Sequence, residues 1–291
     1  MEYRRPVPCV VRGDGDLMTT ALVITAPGIN CDIELAEGFA LAGAQPRSVH
    51  INELLANIAI IDEADLIGLP GGFSYGDSIA AGRIMANVMR KTMYPKLVEA
   101  LRRGVPMIAP CNGFQIAVQL GLLPGPTHGS SWEETAPTPT VALAQNNSAR
   151  FIDKWVEFHV PSNSRCIWTK NLNGTAETSC IPIAHGEGRF VPVNDESLQS
   201  LEEGGQIACR YGATDNPNGS VGDVMGICDA SGLVLGLMPH PERFLRWTQH
   251  PTWTRLTKAQ MQGDTIGLQM FKNAVRYATS NNTQRCVEQS A

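Results

Sequence analysis

Four apolar runs of strand length, Ala21–Thr25, Pro46–Ile51, Asp65–Pro70 and Val105–Cys111, are separated by stretches with helical spacing. Strands that alternate with helices assemble into a mostly parallel sheet covered on both faces, so the expected class is α/β. The first helix is expected over Asp32–Ala42, with Ile33, Ala36, Phe39 and Ala40 on one buried face. Helical material is expected again from about Ser78 to Arg103, interrupted before Pro95. In sheets of this kind ligand sites lie beyond the carboxyl ends of the strands. Pro27-Gly28, Gly71-Gly72 and Cys111 all fall at such ends.

The second half changes character. Residues 126–140 are polar and rich in proline, serine and threonine, and read as an inserted loop. Val156–Val160, Cys166–Thr169, Gln206–Tyr211, Val224–Asp229 and Val234–Met238 are strand candidates with few helices between them. They predict an antiparallel addition or a second layer rather than a separate domain. A last helix is expected over Ile266–Ala278, burying Ile266, Met270, Ala274 and Tyr277. Residues 1–18 read as an extension and 280–291 as a polar tail, which leaves 19–279 as one unit.

Composition narrows the function. A net charge of −5 argues against binding a nucleic-acid backbone. No apolar run is long enough to span a membrane, and Met1–Thr20 has no apolar signal core, so a cytoplasmic protein is expected. The eight cysteines include no C-x-x-C pair and read as free thiols in a reducing compartment. The histidines show no paired ligand spacing, so no metal is expected.

The chemistry gathers at Val105–Gly121. An apolar run ends on Cys111, turns through Asn112-Gly113 and continues with helical spacing. That is a nucleophile elbow, a sharp turn that exposes the nucleophile above a sheet. A thiol nucleophile needs a base, and the base needs an orienting group. Met238-Pro-His240-Pro-Glu242 supplies both, with Pro241 expected to hold the chain extended so that His240 and Glu242 project to one side. The N–H groups at Gly71, Gly72 and Asn112 are candidates for an oxyanion hole. His185-Gly-Glu187-Gly-Arg189 places three polar side chains among glycines and reads as a functional loop. Asn216-Pro-Asn-Gly-Ser220 reads as a turn. His50, His128, His159 and His250 are assigned to structure or surface.

Together these pieces resemble the glutaminase subunit of phosphoribosylformylglycinamidine synthase, a class I (triad) glutamine amidotransferase family. The resemblance rests on Pro27–Asp32, Gly71–Asp77, Cys111–Gln115, Gly121–Gly125, Asn147–Phe151, His185–Phe190, Asn216–Ser220 and Met238–Arg243. It implies a flavodoxin-like layered fold, with Cys111 as nucleophile, His240 as base and Glu242 as its orienter. Gln115 and the backbone near Gly72 and Asn112 are then expected to contact glutamine. The ammonia would pass to a separate synthase subunit that uses ATP and Mg, with a small third subunit in the assembly and no cofactor on this chain. The sequence departs from the family pattern at Pro110, before the cysteine, and at Arg83, which stands later than the family's arginine.

Overall fold

The computed structural model describes residues 18–126, 130–172, 174 and 178–290, with the backbone alone for 285–290. Most of the expected extension, and His128, lie outside these residues. The first half builds the parallel part of the sheet. β1 (Thr20–Thr25) leads to α1 (Asp32–Leu41), β2 (Gln45–His50), α2 (Ile51–Ala56) and β3 (Leu66–Gly68). After a glycine-rich loop come α3 (Arg83–Thr92), α4 (Tyr94–Arg102), β4 (Met107–Pro110) and α5 (Asn112–Leu120). The helical stretch breaks at Met93, just ahead of Pro95 in the first turn of α4, where a missing N–H costs nothing. It begins at Arg83 rather than Ser78, because Gly82 adopts a left-handed conformation that ends the loop.

The second half adds β5 (Val141–Ala144), β6 (Ile152–His159), β7 (Cys180–His185), β8 (Arg189–Pro192), α6 (Asp195–Glu203), β9 (Ile207–Tyr211), β10 (Val224–Cys228), β11 (Val234–Leu237) and α7 (Ile266–Ser290). Nine strands form one sheet in the order β2-β1-β3-β4-β11-β10-β9-β6-β7. The first five are mutually parallel and the remaining pairings are antiparallel. The addition therefore extends the same sheet, and among the described residues only β5 and β8 pair apart from it. Cys166–Thr169 is not a strand: Trp168 is buried there and donates its indole N–H to the Leu233 carbonyl. α7 continues past Ala278 to Ser290, so the expected polar tail is helical.

One apolar layer lies under the helices α2 to α5, and the other under α1 and α7. The face expected for α1 is displaced. Ile33 is 79% exposed, while Leu35, Gly38 and Phe39 are buried. Gly38 is what lets α7 approach, since a β-carbon there would sit 2.7 Å from the Phe271 ring. Tyr277 likewise turns out toward solvent, and Ala278 takes its place. Phe39, Trp168 and Phe271 meet edge-on, with ring centroids 5.2 to 6.4 Å apart. Replacing fully buried Phe271 by alanine is expected to lower stability by about 3–5 kcal/mol, read by urea denaturation.

Candidate active site

The central strands bring the expected residues together. β4 and β11 are parallel neighbours, with Pro110 opposite Leu237, and the Cys111 N–H donates to the Leu237 carbonyl over 2.7 Å. The residues just past each strand end thus share one crevice. Cys111 stands at φ 49°, ψ −109°, in a region that L-residues rarely adopt, and caps α5. Such strain is held where the surroundings over-determine it. Gly113 is part of that constraint: a β-carbon there would lie 1.9 Å from the Leu69 carbonyl oxygen. The thiol is 6% exposed, with Sγ 3.5 Å from the Ala184 carbonyl oxygen.

His240 and Glu242 do meet, though by a different turn than expected. The chain is not extended at Pro241, which begins a short 3-10 helix, Pro241–Arg243. His240 Nδ1 donates to Glu242 Oε1 over 2.6 Å, both side chains being buried. The His240 backbone is fixed as well, its N–H donating to the Pro182 carbonyl on β7. Nε2 is left facing the thiols of Cys111 and Cys31, with neither placed as a formed hydrogen bond. Burial pulls the imidazole pKa down. The Glu242 charge, with Cys111 and Cys31, outweighs it, and His240 titrates well above its ordinary value. Gly71 borders the group: a β-carbon there would come 2.9 Å from His240 Cε1, 3.3 Å from Cys31 Sγ and 3.4 Å from Cys111 Cβ.

The other expected residues frame this pocket. Gly72, at φ 132°, bridges to Ile29, and a side chain there would collide with the backbone of Ile29 and Asn30. The backbone N–H groups of Gly72 and Asn112 have no acceptor among the described residues. The Asn112 side chain holds the glycine-rich loop, accepting from Ser74 N–H and donating to Asp77 Oδ1. Gln115 is buried and already engaged: its Nε2 donates to the Glu187 carbonyl, and its Oε1 accepts from Asn112. The Glu187 carboxylate accepts from Ala81 N–H, so this loop is strapped over the start of α5. Arg189 points elsewhere, to Asn147 Oδ1.

His185 sits at the end of β7 with its Nδ1 3.1 Å from Asn146 Oδ1. That oxygen also accepts from Gly188 N–H, while the Asn146 amide nitrogen donates to two carbonyls. His185 Nδ1 is therefore the donor, and its buried Nε2 carries an unmatched lone pair. Burial first, then the nearby His240 charge, lower its pKa to about 4, so the ring is neutral at pH 7.

Three residues lie outside the expected set, two that support the site and one that adjoins it. Asn146 orients His185, and Asn218, fully buried within the expected turn, donates to the Gly188 carbonyl and so supports the loop from below. The third is Cys31, which the spacing of cysteines gave no reason to place beside His240. A short polar motif between strands was the available signal for Asn218.

A cysteine elbow beyond one central parallel strand and a His–Glu pair beyond its neighbour, on an α/β sheet, define a class I glutamine amidotransferase fold. Comparison with known proteins agrees and is more specific. The family described as CobB/CobQ-like glutamine amidotransferase domain matches residues 18–278. The subunit PurQ of phosphoribosylformylglycinamidine synthase from Dehalococcoides mccartyi is 39% identical, over 88% of this chain and 96% of that protein. PurQ of Methanococcus maripaludis is 38% identical, with the same coverage of each. The structure of PurLQS from Thermotoga maritima superposes with a TM-score of 0.63 at 31% identity, covering 89% of this chain and 99% of that one. A Thermoplasma acidophilum protein described as a GMP synthase component, at TM-score 0.51 and 14% identity, shares the fold. The chain belongs to the CobB/CobQ-like glutamine amidotransferase family.

Proposed function

We propose that this chain is the glutaminase subunit of a phosphoribosylformylglycinamidine synthase, working in the cytoplasm. It hydrolyses glutamine to glutamate and ammonia for a synthase subunit, which makes formylglycinamidine ribonucleotide from formylglycinamide ribonucleotide in purine biosynthesis. The observation that carries this reading is the β4–β11 register, which sets a strained thiol and a buried His–Glu pair in one crevice. The relatives named PurQ supply the pathway.

In the reaction, Cys111 Sγ attacks the carboxamide carbon of glutamine as its proton passes to His240 Nε2. Glu242 keeps the imidazole in the tautomer that leaves Nε2 for this exchange and stabilises the cation that forms. The developing oxyanion takes the free N–H groups of Gly72 and Asn112, at the positive end of α5. The imidazolium then gives its proton to the departing nitrogen, releasing ammonia and a γ-glutamyl thioester. Water, deprotonated by the now neutral His240, attacks the thioester and frees glutamate. Gln115 and the loop from His185 to Arg189 close the crevice, and ATP, Mg and the ribonucleotide belong to the synthase. A small third subunit completes the assembly.

His185 Nε2 is an acceptor suited to a carboxamide N–H. His185→Ala is expected to raise KM for glutamine about tenfold with a smaller change in kcat, the value of one hydrogen bond. Steady-state glutamate release checks it. The pathway is tested by measuring glutamine hydrolysis by the chain alone and with a PurL synthase, ATP and formylglycinamide ribonucleotide. Slow hydrolysis alone and strong activation in the loaded complex are expected. Activation by an unrelated synthase, but not by this one, would refute the assignment.

A further inference from the structure

One buried thiol beside the site has no part in this reaction. Cys31 is 1% exposed and stands just before α1. Its Sγ, a ring nitrogen of His240 and a carboxylate oxygen of Glu242 lie within 4.8 Å of one another. Glu242 Oε2 is buried without a hydrogen-bond partner, and an ion held between ring and carboxylate would take the place of the proton on His240 Nδ1, the ring nitrogen that faces Glu242. The guanidinium of Arg243, with Nη2 3.1 Å from Cys31 Sγ, is placed to favour the thiolate, the form that binds metals.

A thiolate, an imidazole and a carboxylate suit a borderline-soft ion that accepts three protein ligands and leaves a fourth position open. That describes Zn²⁺, with ligand distances of about 2.0–2.3 Å. Magnesium and calcium are excluded by chemistry, since they call for a shell of oxygens and only Glu242 offers any. Donor atoms at most 4.8 Å apart need to shift by only about 1 Å to share one tetrahedral ion. We propose that Cys31, His240 and Glu242 form a zinc site, and that zinc there switches the enzyme off by taking the imidazole and carboxylate. A thiol and an imidazole bind metal only in their deprotonated forms, so binding releases protons to solvent and strengthens as the pH rises. The loss of activity, though not the metal site itself, rests on the glutaminase reading.

The test uses the full chain, stripped with a chelator and titrated with Zn²⁺ against a chromophoric competitor, with Co²⁺ as a spectroscopic stand-in. The wild-type chain is expected to bind one Zn²⁺ at this site, and its Co²⁺ complex to show a thiolate-to-cobalt charge-transfer band. Cys31→Ala should weaken that binding more than about 100-fold, the loss exceeding that for an outer ligand partner, and remove the band. The near-isosteric Cys31→Ser should do the same, which guards against a packing artefact. Cys111→Ala should keep both affinity and band. In glutaminase assays, zinc should silence the wild type reversibly by chelator, while Cys31→Ala remains active at the same zinc concentration. Unchanged affinity and spectrum in Cys31→Ala would overturn the proposal, as would their loss in Cys111→Ala. The predicted binding pattern in a chain without glutaminase activity would uphold the metal site and refute the functional reading alone.

Discussion

Cys111→Ala is expected to reduce glutamine hydrolysis at least about ten-thousandfold, because the reaction loses the atom on which the thioester forms. The protein should remain folded. Alanine keeps the β-carbon that packs beside Gly71 and meets the same backbone strain at φ 49°, so only a small sulfur is removed. Ammonia-dependent synthesis by the assembled complex should survive, since free ammonia bypasses the thiol. Loss of both activities would instead mean that the substitution disturbs the subunit contact. Unchanged hydrolysis would remove the basis for a cysteine mechanism here.

Glu242→Gln has the second largest expected effect, at least about a hundredfold in kcat/KM, since both tautomer and charge are disturbed. In the wild-type chain burial depresses the His240 pKa, and the Glu242 charge more than reverses it. Removing the charge leaves the burial, so the imidazolium formed when Cys111 gives up its proton is less stable and His240 becomes a weaker base. The acid limb of the pH–rate profile should accordingly move to lower pH. Stability carries the same sign. A histidine whose folded pKa is raised contributes stability that is fully present below the unfolded value, near 6.5, and is lost as the pH rises through the folded value. The variant should therefore show less stabilisation on acidification than the wild type in urea titrations at pH 6 and pH 8. An unshifted profile would show that Glu242 has no hold on the His240 proton.

The elbow was legible because two local signals agree there: an apolar strand run and a helical run meet at Cys111, and the structure bends at that residue. The His–Glu partnership was legible from residue type alone. Its geometry was not, because proline fits both an extended segment and the first turn of a helix, and the structure uses the helix. Prolines also obscured strands. Pro182 lies within β7, which is not among the expected strands, and the strand tolerates it at the outer edge of the sheet. Pro46 occupies the opposite edge in β2, where the run was recognised. The face of α1 was misjudged because Gly38, invisible to apolar periodicity, is where Phe271 of α7 packs. Cys31 escaped for a similar reason: its neighbour His240 is 209 positions away, and only the sheet order brings them together.

Two buried thiols therefore lie beside one imidazole, and the central claim is that Cys111 is the one that carries the glutamyl group. The most direct measurement quenches the loaded complex in acid during turnover and maps the γ-glutamyl adduct by peptide mass spectrometry. The adduct is expected on the peptide containing Cys111, and nowhere in Cys111→Ala. An adduct on Cys31, or its persistence in the Cys111→Ala protein, would contradict the account.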